Sequence, residues 1–116
     1  MKNISIYSGD IFLVDFNEGA GHEFQGERPA VIVESDNCIK KSDIITIIPL
    51  TSNTNNKVND DLLLKKDNDN RLRKDSIIKV DYITSFDQSR FINKIGIIDK
   101  ETVKKIKMYL KKHFDI

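Results

Sequence analysis

Apolar positions arrive in short runs along this chain, and polar, turn-forming residues cut each run off. Asp10 to Phe16 is an apolar run of β-type residues and predicts a strand. Asn17 to Glu27 predicts a loop that carries Gly19, Gly21 and Gly26, so its backbone is permissive. Ala30 to Val33 predicts a second strand, ended by the turn-prone Ser35-Asp36-Asn37. Ile44 to Leu50 predicts a third, with Pro49 near its end, where a missing donor is tolerable. Thr51 to Asn59 is rich in Ser, Thr and Asn and predicts another loop. Leu62 to Leu64 predicts a short strand, and Lys66 to Lys74 a charged, exposed stretch. Ser76 to Tyr82 and Phe91 to Ile95 complete the strands.

The end of the chain changes period. Val103, Ile106, Leu110 and Phe114 recur at helical spacing, with Lys104, Lys105, Lys111 and Lys112 around them. Asp99 suits the N-cap, and the lysines and His113 of the last turns suit the helix dipole. The pattern therefore predicts a small, mostly antiparallel β domain with one terminal helix packed on it. Many short strands with polar turns favour a barrel over a flat sheet.

Composition narrows the class. The 116 residues suggest one domain, 1–116, able to build a core without staples. A net charge of +1 gives no global pull toward nucleic acid, so a nucleic-acid site must be a local patch. Cys38 is the only cysteine, which excludes a disulfide framework and a thiolate zinc cluster and fits a reducing cytoplasm. No apolar run approaches the roughly 20 residues that span a bilayer, and Met1 to Ser8 does not resemble a secretion signal. Asp67-Asn68-Asp69-Asn70 hints at a calcium loop but lacks its glycine and its terminal Glu. Gly19-x-Gly21 lacks the third glycine of a dinucleotide fingerprint. No metal or cofactor is called for.

One cation stands out. Arg28 ends a polar loop and directly precedes an apolar strand, and Pro29 biases it toward extended backbone. A guanidinium at the rim of a sheet can bind a phosphate or a carboxylate. The plain alternative is a surface ion pair with Glu27.

Four pieces in order then resemble the MazF/PemK family, the toxins of bacterial type II toxin–antitoxin modules. They are Gly9-Asp10-Ile11-Phe12-Leu13-Val14-Asp15-Phe16, then Ala20-Gly21-His22-Glu23 leading to Gly26-x-Arg28-Pro29, then Pro49-Leu50-Thr51-Ser52, and Asp81 to Arg90. The resemblance spans nearly the whole chain. It implies an SH3-like barrel with a C-terminal helix, a homodimer, a cognate antitoxin as partner, and an endoribonuclease cutting single-stranded RNA or mRNA without a metal. Two positions depart from the family pattern, Phe24 after His22-Glu23 and Tyr82 after Asp81, where the family often has Gln. Both fall where substrate is expected, so Glu23, Phe24, Gln25, Ser52 and Tyr82 are assigned to substrate binding.

Metal-free RNA cleavage can use the substrate's own 2′-hydroxyl as nucleophile. It needs proton transfer at two oxygens and a cation or donors facing the phosphate. Arg28 supplies the cation; the family gives it a direct catalytic role, and charge stabilisation is its easier task. Thr51 supplies a hydroxyl, or else bonds its own turn. His22 is the obvious proton-transfer group, or a solvent-facing loop histidine. Asp81 is the other, if partial burial at a strand end tunes it, or else a turn aspartate. Lys79, two residues earlier on the same strand face, binds phosphate or is a solvated strand residue. Two rival functions remain. A gyrase-binding toxin of the same barrel resembles a chain ending in a Trp-bearing tip, whereas this chain has no Trp and ends His113-Phe114-Asp115-Ile116. An SH3-like peptide-binding module is disfavoured by Arg28 and Thr51 in their motifs.

Overall fold

The structure, a computed structural model, describes residues 5–17, 25–58 and 60–116. Seven strands and two helices follow in the order β1 (Asp10–Asp15), β2 (Glu27–Ile32), α1 (Asp36–Lys41), β3 (Ile44–Thr51), β4 (Leu62–Leu64), β5 (Ser76–Ile78), β6 (Thr84–Asp87), β7 (Phe91–Ile97) and α2 (Lys100–Phe114). Every strand pairing is antiparallel, in the order β4-β5-β3-β2-β1-β7, with β6 on the first half of β3. The ladder is not closed into a ring, but it curls around two cores.

Those cores explain the uninterrupted apolar runs. Successive side chains of a strand point to opposite faces, and here both faces of β1, β2 and β3 are covered. Phe12, Val14, Ala30, Ile32, Ile45 and Ile47 fill one cluster together with Phe91. Ile11, Val31, Ile48, Leu50, Ile78 and Val80 fill the other, on which α2 lies through buried Ile106 and the half-buried Val103, Tyr109 and Leu110.

The Asp99 cap is present, its side chain accepting from the Thr102 N–H at 2.6 Å. That bond holds the Asp99 carboxyl below its ordinary value of 3.8. Phe114, however, leaves the helical stripe; it is 54% exposed and meets the His113 ring edge-on, while Tyr109 packs against the core.

Three other expectations change. The Ser35-Asp36-Asn37 turn opens α1, because the Ser35 hydroxyl accepts from the Cys38 N–H at 3.2 Å. The strand predicted over Ser76 to Tyr82 stops at Ile78, and Val80–Tyr82 is a 3₁₀ turn. β6 was not anticipated; its Thr84, Ser85 and Asp87 stay exposed, and the β3 ladder holds it in place.

Candidate functional site

Arg28 is placed by the two ends of the β1–β2 loop. Asn17 and Gly26 both have left-handed backbone, with φ of 59° and 70°. The Gly26 N–H donates to the Asn17 carbonyl at 2.9 Å, and the Phe16 N–H to the Gly26 carbonyl at 2.8 Å. Gly26 takes that conformation without the Cβ penalty that most residues would carry. β2 then starts in register, with Arg28 opposite Val14 and Pro29 opposite Leu13. The Arg28 Nε donates to the Gln25 carbonyl at 3.1 Å, which orients the guanidinium.

A groove of about 920 Å³ opens beside this arginine. Its floor is a row across the sheet: Leu50 of β3, Pro29 of β2, Leu13 of β1 and Asn93 of β7. Gln25, Ser52 and Ser76 add neutral polar groups. Arg28, Arg71, Arg73, Lys74 and Lys94 face it against a single carboxylate, Glu27. Five cations converge here in a chain whose net charge is +1. A cleft with one sign of charge concentrates anions, and single-stranded nucleic acid is a polyanion.

Thr51 lies at the end of β3. The β2–β3 ladder runs from Ile32↔Ile47 to Ala30↔Pro49 and stops there; Thr51 pairs with Ile77 of β5, and its neighbours Leu50 and Ser52 line the groove. The Thr51 Oγ1 accepts from the Asn53 N–H at 3.2 Å. The turn role is therefore present, but it uses only one lone pair and leaves the hydroxyl proton to donate.

The remaining assigned residues part company with this groove. Asp81 is exposed in the 3₁₀ turn, not partly buried at a strand end. Its carboxylate accepts from the Tyr109 hydroxyl of α2 at 2.6 Å, and the same hydroxyl lies 3.2 Å from His113 Nδ1. Partial burial, then the bond to Asp81, pushes the Tyr109 phenol up to about 12. Asp81 thus ties the terminal helix down.

Lys79 is neither solvated nor in the groove. It is 8% exposed, and its Nζ sits 2.6 Å from Oδ2 of Asp61, whose side chain is fully buried. Because the strand ends at Ile78, Lys79 and Asp81 do not share a strand face. Tyr82 packs against the first core with the Lys79 ammonium 5.8 Å from its ring centre. His22, Glu23 and Phe24 lie outside the described residues.

The sequence reading missed Arg71, Arg73, Lys74 and Lys94. The first three fell in a stretch marked only as charged and exposed. Their signal was the cation run itself, which needs the fold to aim it at Arg28.

Comparisons with known proteins agree with this geometry. A model of the family described as the PemK-like, MazF-like toxin of type II toxin–antitoxin systems matches residues 7–114. An endoribonuclease MazF of Staphylococcus saprophyticus is 28% identical over 99 residues, covering 84% of this chain and 82% of that protein. Among solved structures, MazF from Deinococcus radiodurans superposes with a TM-score of 0.82 at 18% identity, covering 98% of this chain and all of that one. An endoribonuclease in complex with its cognate antitoxin, from a mycobacterial species, gives 0.77 at 16% identity, with 97% of each chain covered. These two share the fold. With residues 7–114 of its 116 matched by the family model, the chain belongs to the PemK-like, MazF-like toxins of type II toxin–antitoxin systems.

Proposed function

We propose that this toxin is a cytoplasmic endoribonuclease that cuts single-stranded RNA by attack of the substrate's own 2′-hydroxyl. The observation that carries the reading is Arg28, oriented by Gln25, at the edge of a groove lined by five cations. The named activity of the Staphylococcus saprophyticus relative supports it.

In the proposed step the 2′-oxygen bonds to the adjacent phosphorus and loses its proton. The bond to the 5′-oxygen of the next nucleotide breaks, and that oxygen gains a proton. The products are a 2′,3′-cyclic phosphate and a 5′-hydroxyl. Arg28 faces the non-bridging oxygens, where its fork matches two acceptors and offsets the charge that grows in the transition state. Thr51 donates its hydroxyl proton to the same phosphate. Gln25 and Ser52 contact the nucleotides on either side. Proton transfer is given to His22 in the β1–β2 loop, whose ordinary pKa suits the task. It is not given to Asp81, which is engaged with Tyr109. The toxin works as a homodimer, and its cognate antitoxin silences it by laying an acidic, coupled-folding tail along the same groove.

Incubation of the purified chain with end-labelled RNA in excess chelator tests the activity. Cleavage is expected, and Arg28→Ala should lower its rate by roughly 10²-fold or more. Cleavage that stops in chelator and returns with magnesium, or that ignores Arg28→Ala, would overturn the reading.

A further inference from the structure

The chemical step leaves unused the turn 67–74, whose Arg71, Leu72, Arg73 and Lys74 line the same groove as Arg28. Its construction is unusually fixed for an exposed, charged loop. Asn70 is 1% exposed at its centre. The Asn70 Oδ1 accepts from the N–H groups of Asp67 and Leu72 at 3.0 Å each, and its Nδ2 donates to the Lys65 carbonyl at 2.8 Å. The Asp67 Oδ1 accepts from the N–H groups of Asp69 and Asn70 at 2.9 and 2.7 Å. Asp75 closes the base by accepting from the Lys66 N–H at 2.9 Å.

The turn is then pressed onto β7. The Ile97 N–H donates to the Asp69 carbonyl at 3.0 Å. A Cβ on Gly96 would lie 2.3 Å from the Asn70 carbonyl oxygen, so only glycine allows this approach. The Asp67 and Asp75 carboxylates are thus spent on backbone donors, while Arg71, Arg73 and Lys74 line the groove. Among the described residues these three make no ion pair. Lys94 in the same groove differs, since it is held 3.3 Å from buried Asp10.

We propose that the turn 67–74 is a rigid platform on which Arg71, Arg73 and Lys74 hold the backbone phosphates of single-stranded RNA flanking the one bound at Arg28. This rests on the endoribonuclease reading. A strand with one phosphate at Arg28 must run its neighbours along the same groove, and the only groove wall with unpaired cations among the described residues is this turn. Contacts of this kind are sequence-independent, whereas neutral groups such as Asn93 and Ser52 remain to discriminate bases. Arg71 has a φ of 57°, so its side chain leaves the turn in a direction set by left-handed backbone.

The test measures binding of an oligouridine carrying 2′-O-methyl groups, which has no free hydroxyl to attack, as a function of salt. Each phosphate contact contributes about −0.7 to the slope of log affinity on log salt for single strands. The variant Arg71→Asn/Arg73→Gln/Lys74→Gln keeps a residue tolerant of left-handed backbone at position 71. It should flatten the slope by about 2, so that raising salt from about 50 to about 200 mM costs the unsubstituted protein roughly 16-fold more affinity than the variant. Arg73→Gln/Lys74→Gln alone, which leaves the backbone of Arg71 untouched, should flatten it by about 1.4. With cleavable RNA the loss should fall on KM more than on kcat.

An unchanged slope in both variants overturns the platform. So does a variant that keeps the RNA slope but loses binding to polyglutamate, which would assign the turn to an acidic protein partner. A flattened slope in a protein that never cuts RNA would support the platform while removing the endoribonuclease reading.

Discussion

Replacing Lys79 with Met removes one half of a buried ion pair and leaves Asp61 behind. The structure sets the size of the effect. The side chains of Lys79 and Asp61 are 10% and 0% exposed, and their charged atoms are 2.6 Å apart. Oδ2 of Asp61 also accepts from the Val58 N–H at 3.1 Å, while Oδ1 is buried without a partner among the described residues. Once the ammonium is gone, the carboxylate has one backbone donor and no counter-charge. Breaking such a pair costs about 3–5 kcal/mol. For a domain of this length that is a fall in Tm of roughly 10–20 °C. Adding Asp61→Asn removes the stranded charge and keeps an acceptor for Val58, so the double variant should recover most of the loss.

Urea unfolding of the four proteins at one pH and one protein concentration gives the coupling energy. At least about 2 kcal/mol is expected from a buried pair in direct contact. If Lys79→Met costs less than about 1 kcal/mol, or Asp61→Asn returns nothing, Lys79 is not held as described and its assignment to phosphate contact reopens.

Other consequences can be checked separately. Asp99→Ala should cost about 1 kcal/mol, the usual loss for an N-cap. Because the folded Asp99 carboxyl lies below 3.8, its stabilisation is full above that pH and is lost as pH falls through the folded value. Stability curves of the two proteins should therefore converge in acid, and a constant gap down to the lowest pH would contradict the cap. Ultraviolet titration should find Tyr109 with a pKa near 12, and Asp81→Asn should bring it down while burial keeps it above 10.0. No movement on that substitution would break the link between Asp81 and α2. Gly96→Ala should destabilise by about 1–3 kcal/mol, because the neighbours of the new Cβ are all backbone; a change within about 0.5 kcal/mol in urea unfolding would contradict the close approach.

Local pattern carried much of this fold. The runs of β1, β2 and β3 were legible because a strand buried on both faces has no polar alternation to hide it. The terminal helix was legible from its period and its cap. What failed was set by partners distant in sequence. β6 has no pattern of its own and exists because β3 pairs with it. The strand that stops at Ile78 reads as continuous, yet Lys79 turns inward to meet Asp61, 18 residues away. Of the residues that line the groove, Arg28, Gln25 and Ser52 could be singled out from the sequence. The cations at Arg71, Arg73 and Lys74 could not, because their meaning depends on an Asn70-centred turn docking on Gly96.

The central claim is that a phosphate held at Arg28 and Thr51 is attacked by the neighbouring 2′-hydroxyl. Its most direct test is one RNA, cut at a mapped position, compared with the same oligonucleotide carrying a single 2′-deoxyribose immediately before the cut. The all-ribose strand should yield a 5′-hydroxyl and a cyclic phosphate, and the single deoxy substitution should abolish cleavage there while leaving binding intact. Cleavage of the deoxy-substituted strand at that position, or a product bearing a 5′-phosphate, would contradict it.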